Sequence, residues 1–213
     1  MNQPIDFIFQ IAILIFSVVI HEVSHGLAAY RLGDPTAKDA GRLTLNPLPH
    51  LDLIGSVIVP LMTYFLLGGR IFGWAKPVPF NPYYLRNPKR DSALIALAGP
   101  ASNLFVAAVF GILIRLIAFS PASSSFVMSF VNISAMIIFI NVLLAVFNLV
   151  PIPPLDGSKI LFGLLPSSAS VVRLQGFLEQ YGFIILIVSM SYLFVLISPA
   201  IFALFRLFSG LSQ

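Results

Sequence analysis

Four apolar runs, each long enough to cross a lipid bilayer, constrain this chain more than any other feature. A membrane-spanning helix needs about 20 apolar residues. The runs predict helices at Phe7–Leu32, Leu94–Phe119, Phe126–Val150 and Tyr181–Phe208. Only 9% of the residues are charged, far below the roughly 25% of soluble domains. We therefore expect an all-α polytopic membrane protein with about four to six membrane segments.

The chain is predicted to form one transmembrane domain over residues 1–213. The first apolar run is expected to stay in the mature protein, because no basic residue precedes it and its later half carries a polar cluster rather than a small-residue cleavage site. No nucleic-acid footprint, internal repeat or independent soluble domain is recognisable. The absence of cysteine excludes disulfides, thiol catalysis and Cys-ligated metals. Any metal must therefore be held by His and carboxylate groups.

A shorter apolar segment, Leu53–Leu67, decides the topology. Pro60 interrupts it, so it suits a re-entrant or interfacial segment better than a full span. Eight of the twelve basic residues lie from Arg31 to Arg90. If the segment enters and leaves on one side, all eight lie in the cytoplasm, as the positive-inside bias predicts. If it spans the membrane, the residues from Arg70 to Arg90 lie outside, so the re-entrant topology is favoured.

Three polar segments accompany the apolar runs. Gly41–His50 alternates apolar and polar residues and predicts a short strand or β-hairpin near the polar end of the first helix. Gly73–Pro82 is Pro-rich and cannot be helical throughout. Pro166–Gly182 mixes apolar and charged residues in a pattern typical of a short surface helix.

The segment His21–His25 (HEVSH) matches the pattern H-E-x-x-H inside the first apolar run. Four residues advance a helix by about 400°, so His21 and His25 lie on one face and can bind one ion. Glu22, about 100° round the helix, can reach a water on that ion. A satisfied His/Glu face is the alternative. Ionisable groups at membrane depth are rare without a function, which favours the metal site.

Asp156 is the candidate for the third metal ligand. A catalytic zinc usually has three protein ligands and one open position. Besides Glu22, the other acidic residues are expected to be solvated at segment ends or in loops: Asp6, Asp34, Asp39, Asp52, Asp91 and Glu179. Asp156 instead follows the prolines of Pro151–Pro154, where the helix must break, and such breaks are tolerated at membrane depth where they line a cavity. The alternative is a helix N-cap. The favoured topology places Asp156 and the two histidines toward the cytoplasmic side.

These segments resemble three motifs of the site-2 protease family of zinc-dependent intramembrane proteases. HEVSH is similar to the first motif, and NLVPIPPLDG (Asn148–Gly157) resembles the second, Asn-x-x-Pro-x-Pro-x-x-Asp-Gly. LAGPASN (Leu97–Asn103) is similar to a third signature. The segments GRLTLNP and GWAKPVP resemble the compact branch, and neither a PDZ nor a CBS domain is recognisable.

The resemblance implies that His21, His25 and Asp156 hold one Zn²⁺ per chain and that Glu22 is the general base. It also implies that Asn148 positions the substrate or stabilises the oxyanion. Asn148 could equally satisfy backbone groups that the following prolines free.

Two further polar residues are assigned no role in catalysis. Asn103 follows Gly99-Pro100, and we interpret it as part of a close helix contact. His50 is interpreted as an interfacial loop residue rather than a metal ligand.

The expected activity is hydrolysis of peptide bonds within or near the transmembrane segments of single-span membrane proteins. The expected location is a prokaryotic plasma membrane, with the active site toward the cytoplasm, and the oligomeric state is not predicted. The main alternative is a membrane metal transporter or channel that uses the same His/Asp site. No other predicted helix supplies further ligands along a path, which favours the protease. A catalytically silent scaffold is a second alternative, and the presence of Glu22 argues against it.

Overall fold

The computed structural model describes residues 4–52, 75–118 and 125–211, together with the single residues 55, 58 and 62. Six α-helices lie in the three continuous ranges: α1 (Pro4–Arg31), α2 (Thr36–Asp39), α3 (Pro88–Ala118), α4 (Ser125–Asn148), α5 (Asp156–Leu164) and α6 (Ala169–Ser209). Two 3₁₀ turns, Leu48–His50 and Pro82–Tyr84, lie in the loops. No strand occurs in the described ranges.

Four of these helices are long and apolar enough to cross a membrane, which confirms the expected class. The candidate spans are Phe9–Arg31, Pro88–Ile117, Ser125–Asn148 and Ala169–Ser209. Large apolar side chains on their outer faces are exposed, for example Phe105 and Leu196, as expected where lipid replaces water. The chain is an all-α multi-pass membrane protein.

Helix α6 differs from the prediction, because the expected surface helix Pro166–Gly182 and the last membrane run form one helix of 41 residues. Ser168 caps its first turn by accepting the N–H of Val171. Gly182 lies inside this helix. A Cβ at Gly182 would lie 2.6 Å from the Pro153 carbonyl oxygen, so glycine here serves packing rather than termination.

Helix α3 is the centre of the bundle and packs against α1, α4, α5 and α6. Pro100 lies inside α3, where the lost backbone hydrogen bond is tolerated because neighbouring helices support the segment. The apolar core comes from α3, α4 and α6: Ala107, Ile114, Ile138, Val142, Ile201 and Phe205. In lipid, van der Waals packing of this kind holds helices together.

The end of α1, the start of α3 and the end of α4 lie together at what we call the site end of the bundle. His25, near the end of α1, bonds the carbonyl of Ile95, near the start of α3. The loop after α4 delivers Asp156 to His21. Helix α1 ends before Gly33, which takes a φ of +106°, a conformation that glycine adopts at helix C-termini.

The flanks of the apolar segment Leu53–Leu67 also meet at the site end. The backbone N–H of Lys76 donates to the carbonyl of His50 at 2.9 Å. The chain therefore leaves this point after His50 and returns to it before Lys76. Leu53–Leu67 itself lies outside the described residues, apart from positions 55, 58 and 62, so its re-entrant character stays a prediction.

Gly41–His50 does not contain the strand or hairpin that its alternation predicted. Its residues form turns, bends and the 3₁₀ turn Leu48–His50. Pro47 and Pro49 lack the N–H that a strand ladder requires. The Asn46 side chain instead accepts the N–H of Leu48 at 3.1 Å, a local bond that competes with strand pairing.

Candidate metal centre

The two histidines of the H-E-x-x-H motif lie one turn apart on α1 and face the same carboxylate. Their ring centroids are 4.6 Å apart and the ring planes are at 89°. The Nε2 atoms of His21 and His25 lie 3.0 and 3.1 Å from Asp156 Oδ2. His21 is 5% exposed and Asp156 8%. The structure therefore brings together the three residues that the sequence singled out as ligands.

Asp156 reaches the histidines because the chain turns sharply after α4. Gly157 allows this turn, since a Cβ at that position would collide with the carbonyl groups of Leu149 and Val150. Asp156 is the first residue of α5, whose N-terminus has no side-chain cap bond. Its carboxylate is directed to the histidines and not to the helix end, contrary to the N-cap alternative.

The two histidines counteract the effect of burial on the Asp156 carboxyl group. Burial alone would raise the pKa of this carboxyl group. The hydrogen bonds and charges of His21 and His25 outweigh this effect and hold the pKa of Asp156 below its ordinary value. The ionised form is the one that binds a metal.

The three side chains fit one metal ion. Each offers a ligand atom, and these atoms all lie within 4.8 Å of one another. Ligand atoms on one tetrahedral zinc lie about 3.3 Å apart, given bonds of roughly 2.0–2.1 Å. The two Nε2–Oδ2 distances are close to that value. Two imidazoles and one carboxylate are also a donor set that catalytic zinc uses with an open fourth position.

Each histidine is tethered through its other ring nitrogen. His25 Nδ1 lies 2.7 Å from the carbonyl oxygen of Ile95. Because a carbonyl can only accept, Nδ1 of His25 carries a proton, so in the neutral imidazole the lone pair that can bind a metal is on Nε2. His21 Nδ1 lies 2.6 Å from the side-chain oxygen of Asn103. Such partners of the distal nitrogen orient metal-ligating histidines.

Gly99 provides the space in which the two rings sit. A Cβ at this position of α3 would lie 2.5 Å from Cε1 and Nε2 of His25 and 2.6 Å from Cε1 of His21. Helix α3 therefore approaches the histidines to a distance that only glycine permits.

Glu22 is bound by an extended segment, residues 75–81, which we call the strap. The N–H of Val78 donates to Glu22 Oε2 at 2.8 Å. Val78 also packs close to Gly26, one turn further along α1. From the other side, the Lys159 ammonium of α5 lies 5.3 Å from the centre of the Phe80 ring. The strap therefore touches both the helix that carries the histidines and the helix that begins with Asp156.

Buried charged groups fasten the strap at both ends. Arg42, 6% exposed, donates through Nη2 to the carbonyl of Lys76 at 2.7 Å. Asp34, 0% exposed, accepts the N–H of Asn81 at 2.6 Å. It also accepts the backbone N–H of Thr36 at 2.9 Å. The expectation that solvation accounts for Asp34 is therefore wrong: its carboxylate is buried because backbone donors satisfy it.

The remaining polar candidates have the following surroundings. Asn148 donates through Nδ2 to the carbonyl of Leu144 in its own helix at 2.9 Å. His50 is 1% exposed, its Nε2 lies 3.0 Å from the carbonyl of Thr44, and it does not belong to the group of possible metal ligands. Asn103, interpreted as a packing residue, is the partner of His21. Its spacing from Gly99 on α3 was the only sequence signal that could have indicated this.

Fold and site together define a class: multi-pass membrane proteins with a His–His–carboxylate metal centre inside a helix bundle and a glutamate beside it. The model of the family described as "Peptidase family M50" matches residues 114–189. The chain is 37% identical over 182 residues to "Putative zinc metalloprotease YwhC" of Bacillus subtilis, covering 84% of this chain and 78% of that protein. It is 33% identical over 200 residues to "Putative zinc metalloprotease Rip2" of Mycolicibacterium smegmatis, covering 92% and 69%.

The chain belongs to peptidase family M50, the site-2 protease family, and is a zinc metalloprotease. The family does not favour the alternative of a metal transporter or channel. No solved structure matches the chain.

Proposed function

We propose that this zinc metalloprotease is an intramembrane endopeptidase that hydrolyses peptide bonds within or near the transmembrane segments of single-span proteins. The observation that carries the proposal is the location of the metal-ligand group. His21 and His25 lie within the candidate membrane span Phe9–Arg31, and Asp156 meets them in the same helix bundle. A peptide bond must come to this depth to react, and transmembrane segments already lie there.

In the proposed assignment, His21, His25 and Asp156 hold one zinc ion per chain. The Nδ1–H of His25 is fixed by a backbone carbonyl, and Gly99 leaves room for both rings. The carboxylate faces both Nε2 atoms at 3.0–3.1 Å. Zinc bound there would polarise the scissile carbonyl and increase the acidity of water.

Glu22 is proposed as the general base and later the general acid. It accepts a proton from the attacking water and delivers it to the leaving amine, which balances the hydrolysis. Its position next to His21 supports this role. The Val78 N–H holds Oε2 at 2.8 Å, so the carboxylate is oriented while its second oxygen can face the reacting groups.

Asn148 is proposed to bind the substrate or the developing oxyanion. Its Nδ2 donates one hydrogen to Leu144, and an amide NH₂ carries a second hydrogen that a substrate carbonyl can accept. The alternative is that Asn148 satisfies backbone groups freed by the prolines that follow it. The bond to Leu144 concerns its own helix rather than the proline segment.

We further propose that the chain functions as one domain over residues 1–213 in the plasma membrane of a prokaryote, with its site end toward the cytoplasm. Arg42 and Lys76 are joined at the site end, and Arg31 ends α1 there. Basic residues favour the cytoplasmic side. Single-span proteins suit such a site because one helix can enter from the bilayer without an accompanying bundle.

The deciding experiment compares wild type, Glu22→Gln and the control Glu179→Gln in detergent or liposomes. Glu179 is exposed on α6, where it accepts a hydrogen bond from Gln175 at 2.8 Å. Zinc content and cleavage of a single-span test substrate are measured, beside a soluble peptide that carries only its flanking sequence. We expect Glu22→Gln to keep zinc and lose cleavage, Glu179→Gln to match wild type, and the soluble peptide to stay intact.

Cleavage by Glu22→Gln at the wild-type rate would refute the assigned base. Cleavage of the soluble peptide at the rate of the single-span substrate would refute intramembrane specificity. Zinc flux through proteoliposomes without proteolysis would favour the transporter alternative.

A further inference from the structure

Three buried polar side chains behind His21 have no part in the mechanism above. Asn103 on α3 and Asn141 on α4 are 0% exposed, and Ser17 on α1 is 4% exposed. Buried polar groups are costly unless hydrogen-bonded, and in a membrane bundle no bulk water can satisfy them. Their arrangement therefore calls for a physical reason.

The orientation of the Asn103 amide follows from a backbone group. Asn103 Nδ2 donates to the carbonyl oxygen of Ser17 at 3.2 Å. That oxygen can only accept, so the Asn103 atom facing it must be the NH₂ group. The Asn103 atom 2.6 Å from His21 Nδ1 is then the oxygen, which also can only accept. His21 must carry a proton on Nδ1, so in the neutral imidazole the lone pair that can bind a metal is on Nε2.

Asn141 holds Asn103, and a backbone carbonyl fixes the orientation of the Asn141 amide as well. Its Nδ2 donates to the carbonyl oxygen of Ile137 at 2.9 Å, an acceptor that fixes which end of the amide is which. It also donates to Ser17 Oγ at 2.9 Å. The Asn141 oxygen therefore faces Asn103 and accepts its second hydrogen at 2.9 Å. We call the hydrogen-bonded group of Ser17, Asn103 and Asn141 the relay. Two backbone carbonyls thus determine how both amide groups of the relay are oriented.

We propose that Asn103, held by Asn141 and Ser17, is a positioning residue that locks His21 in the Nδ1–H tautomer and presents Nε2 to the metal. The inference rests on the proposed role of His21 as a zinc ligand. His25 needs no side chain to position it, because the backbone carbonyl of Ile95 orients its ring. The relay joins α1, α3 and α4, so the correct tautomer of His21 depends on the packing of three membrane helices.

The test uses the 213-residue protein and two substitutions of Asn103 that separate zinc binding from heat stability. Asn103→Leu keeps the approximate size but removes the acceptor for His21. Asn103→Asp keeps an acceptor, as in carboxylate–histidine–zinc arrangements, but loses both donors and sets a carboxylate against the oxygens of Ser17 and Asn141. Asn132→Leu is the matched control, because Asn132 is exposed on α4. Zinc affinity is measured by chelator competition and stability by thermal unfolding with excess zinc.

We expect Asn103→Leu to weaken zinc binding about 10- to 100-fold, with Asn132→Leu unchanged. Asn103→Asp should bind zinc more tightly than Asn103→Leu even where it is the less heat-stable protein. A purely structural role would make zinc binding follow heat stability. Affinity of Asn103→Leu within about threefold of wild type, or Asn103→Asp no tighter than Asn103→Leu, would overturn the inference.

Asn141→Leu supplies a second comparison if Asn103→Leu does not fold. Since Asn141 acts through Asn103, its loss should weaken zinc binding less than His21→Ala does. Wild-type affinity in Asn141→Leu would then overturn the relay. His21→Ala tests the ligand role of His21 separately from the positioning role of Asn103. Zinc retained in that variant would refute the ligand assignment. Zinc lost there but kept without Asn103 or Asn141 would refute only the positioning role.

Discussion

Replacing Gly99 by alanine adds one methyl group at the point where α3 meets the metal centre. That methyl group would lie 2.5 Å from two atoms of the His25 ring and 2.6 Å from Cε1 of His21. Carbon atoms in contact are about 3.5–4.0 Å apart. One or both rings, or α3 itself, must therefore move by roughly 1 Å.

The cost to folding is expected to be smaller than the cost to metal binding. Overpacking typically destabilises by about 1–3 kcal/mol, and alanine recovers up to about 1 kcal/mol over glycine in a helix. Metal–ligand distances, however, tolerate only about 0.2 Å. A ring displaced by several times that amount should weaken zinc binding at least about tenfold, or 1.4 kcal/mol.

The assay measures bound zinc, proteolysis and thermal unfolding of Gly99→Ala beside Gly176→Ala. Gly176 also lies in a helix, but a Cβ there meets nothing within 4 Å. The control should therefore keep zinc and activity and gain slightly in stability. Gly99→Ala should purify folded, with zinc binding weakened at least about tenfold and with slower cleavage than wild type. A Gly99→Ala protein with full zinc and normal cleavage would refute the packing argument.

Two further substitutions test the elements that support the centre. Asp34→Ala should destabilise the protein by about 1–3 kcal/mol, because it removes the buried acceptor of the part-buried N–H groups of Asn81 and Thr36. Unfolding in detergent beside the exposed control Asp39→Ala checks this. Equal stability of the two variants would contradict it. Gly182→Ala places a Cβ 2.6 Å from the Pro153 carbonyl oxygen and should displace the loop that precedes Asp156. Bound zinc should therefore fall relative to wild type. Unchanged zinc content would contradict this prediction.

The sequence predicted four membrane helices for physical reasons, and the three residues it singled out as ligands lie together in the structure. Apolar runs identify membrane helices because lipid requires every backbone group to be satisfied within the segment. A shortage of ionisable residues at membrane depth then left few candidates for a ligand, and His21, His25 and Asp156 were the natural choice. Helical geometry alone placed the two histidines on one face.

The sequence could not predict the contacts made between elements. Asn103 follows a Gly-Pro pair that packs closely in any membrane bundle, and only the position of α1 shows that its oxygen meets His21. Asp34 lies in a loop, where solvation is the ordinary expectation, and its burial depends on backbone donors that come 47 residues later at Asn81. The strap has no periodicity at all, because its backbone bonds side chains and loop carbonyls instead of a neighbouring strand.

The metal centre joins residues 135 positions apart, His21 and Asp156. During synthesis, the half with the histidines emerges and enters the bilayer long before the carboxylate exists. On the proposed ligand assignment, a chain that stops before α5 holds two imidazoles and no third ligand, so we expect it to be inactive. We therefore expect proteolytic activity to begin only after α5 has been made and Asp156 has met the two histidines.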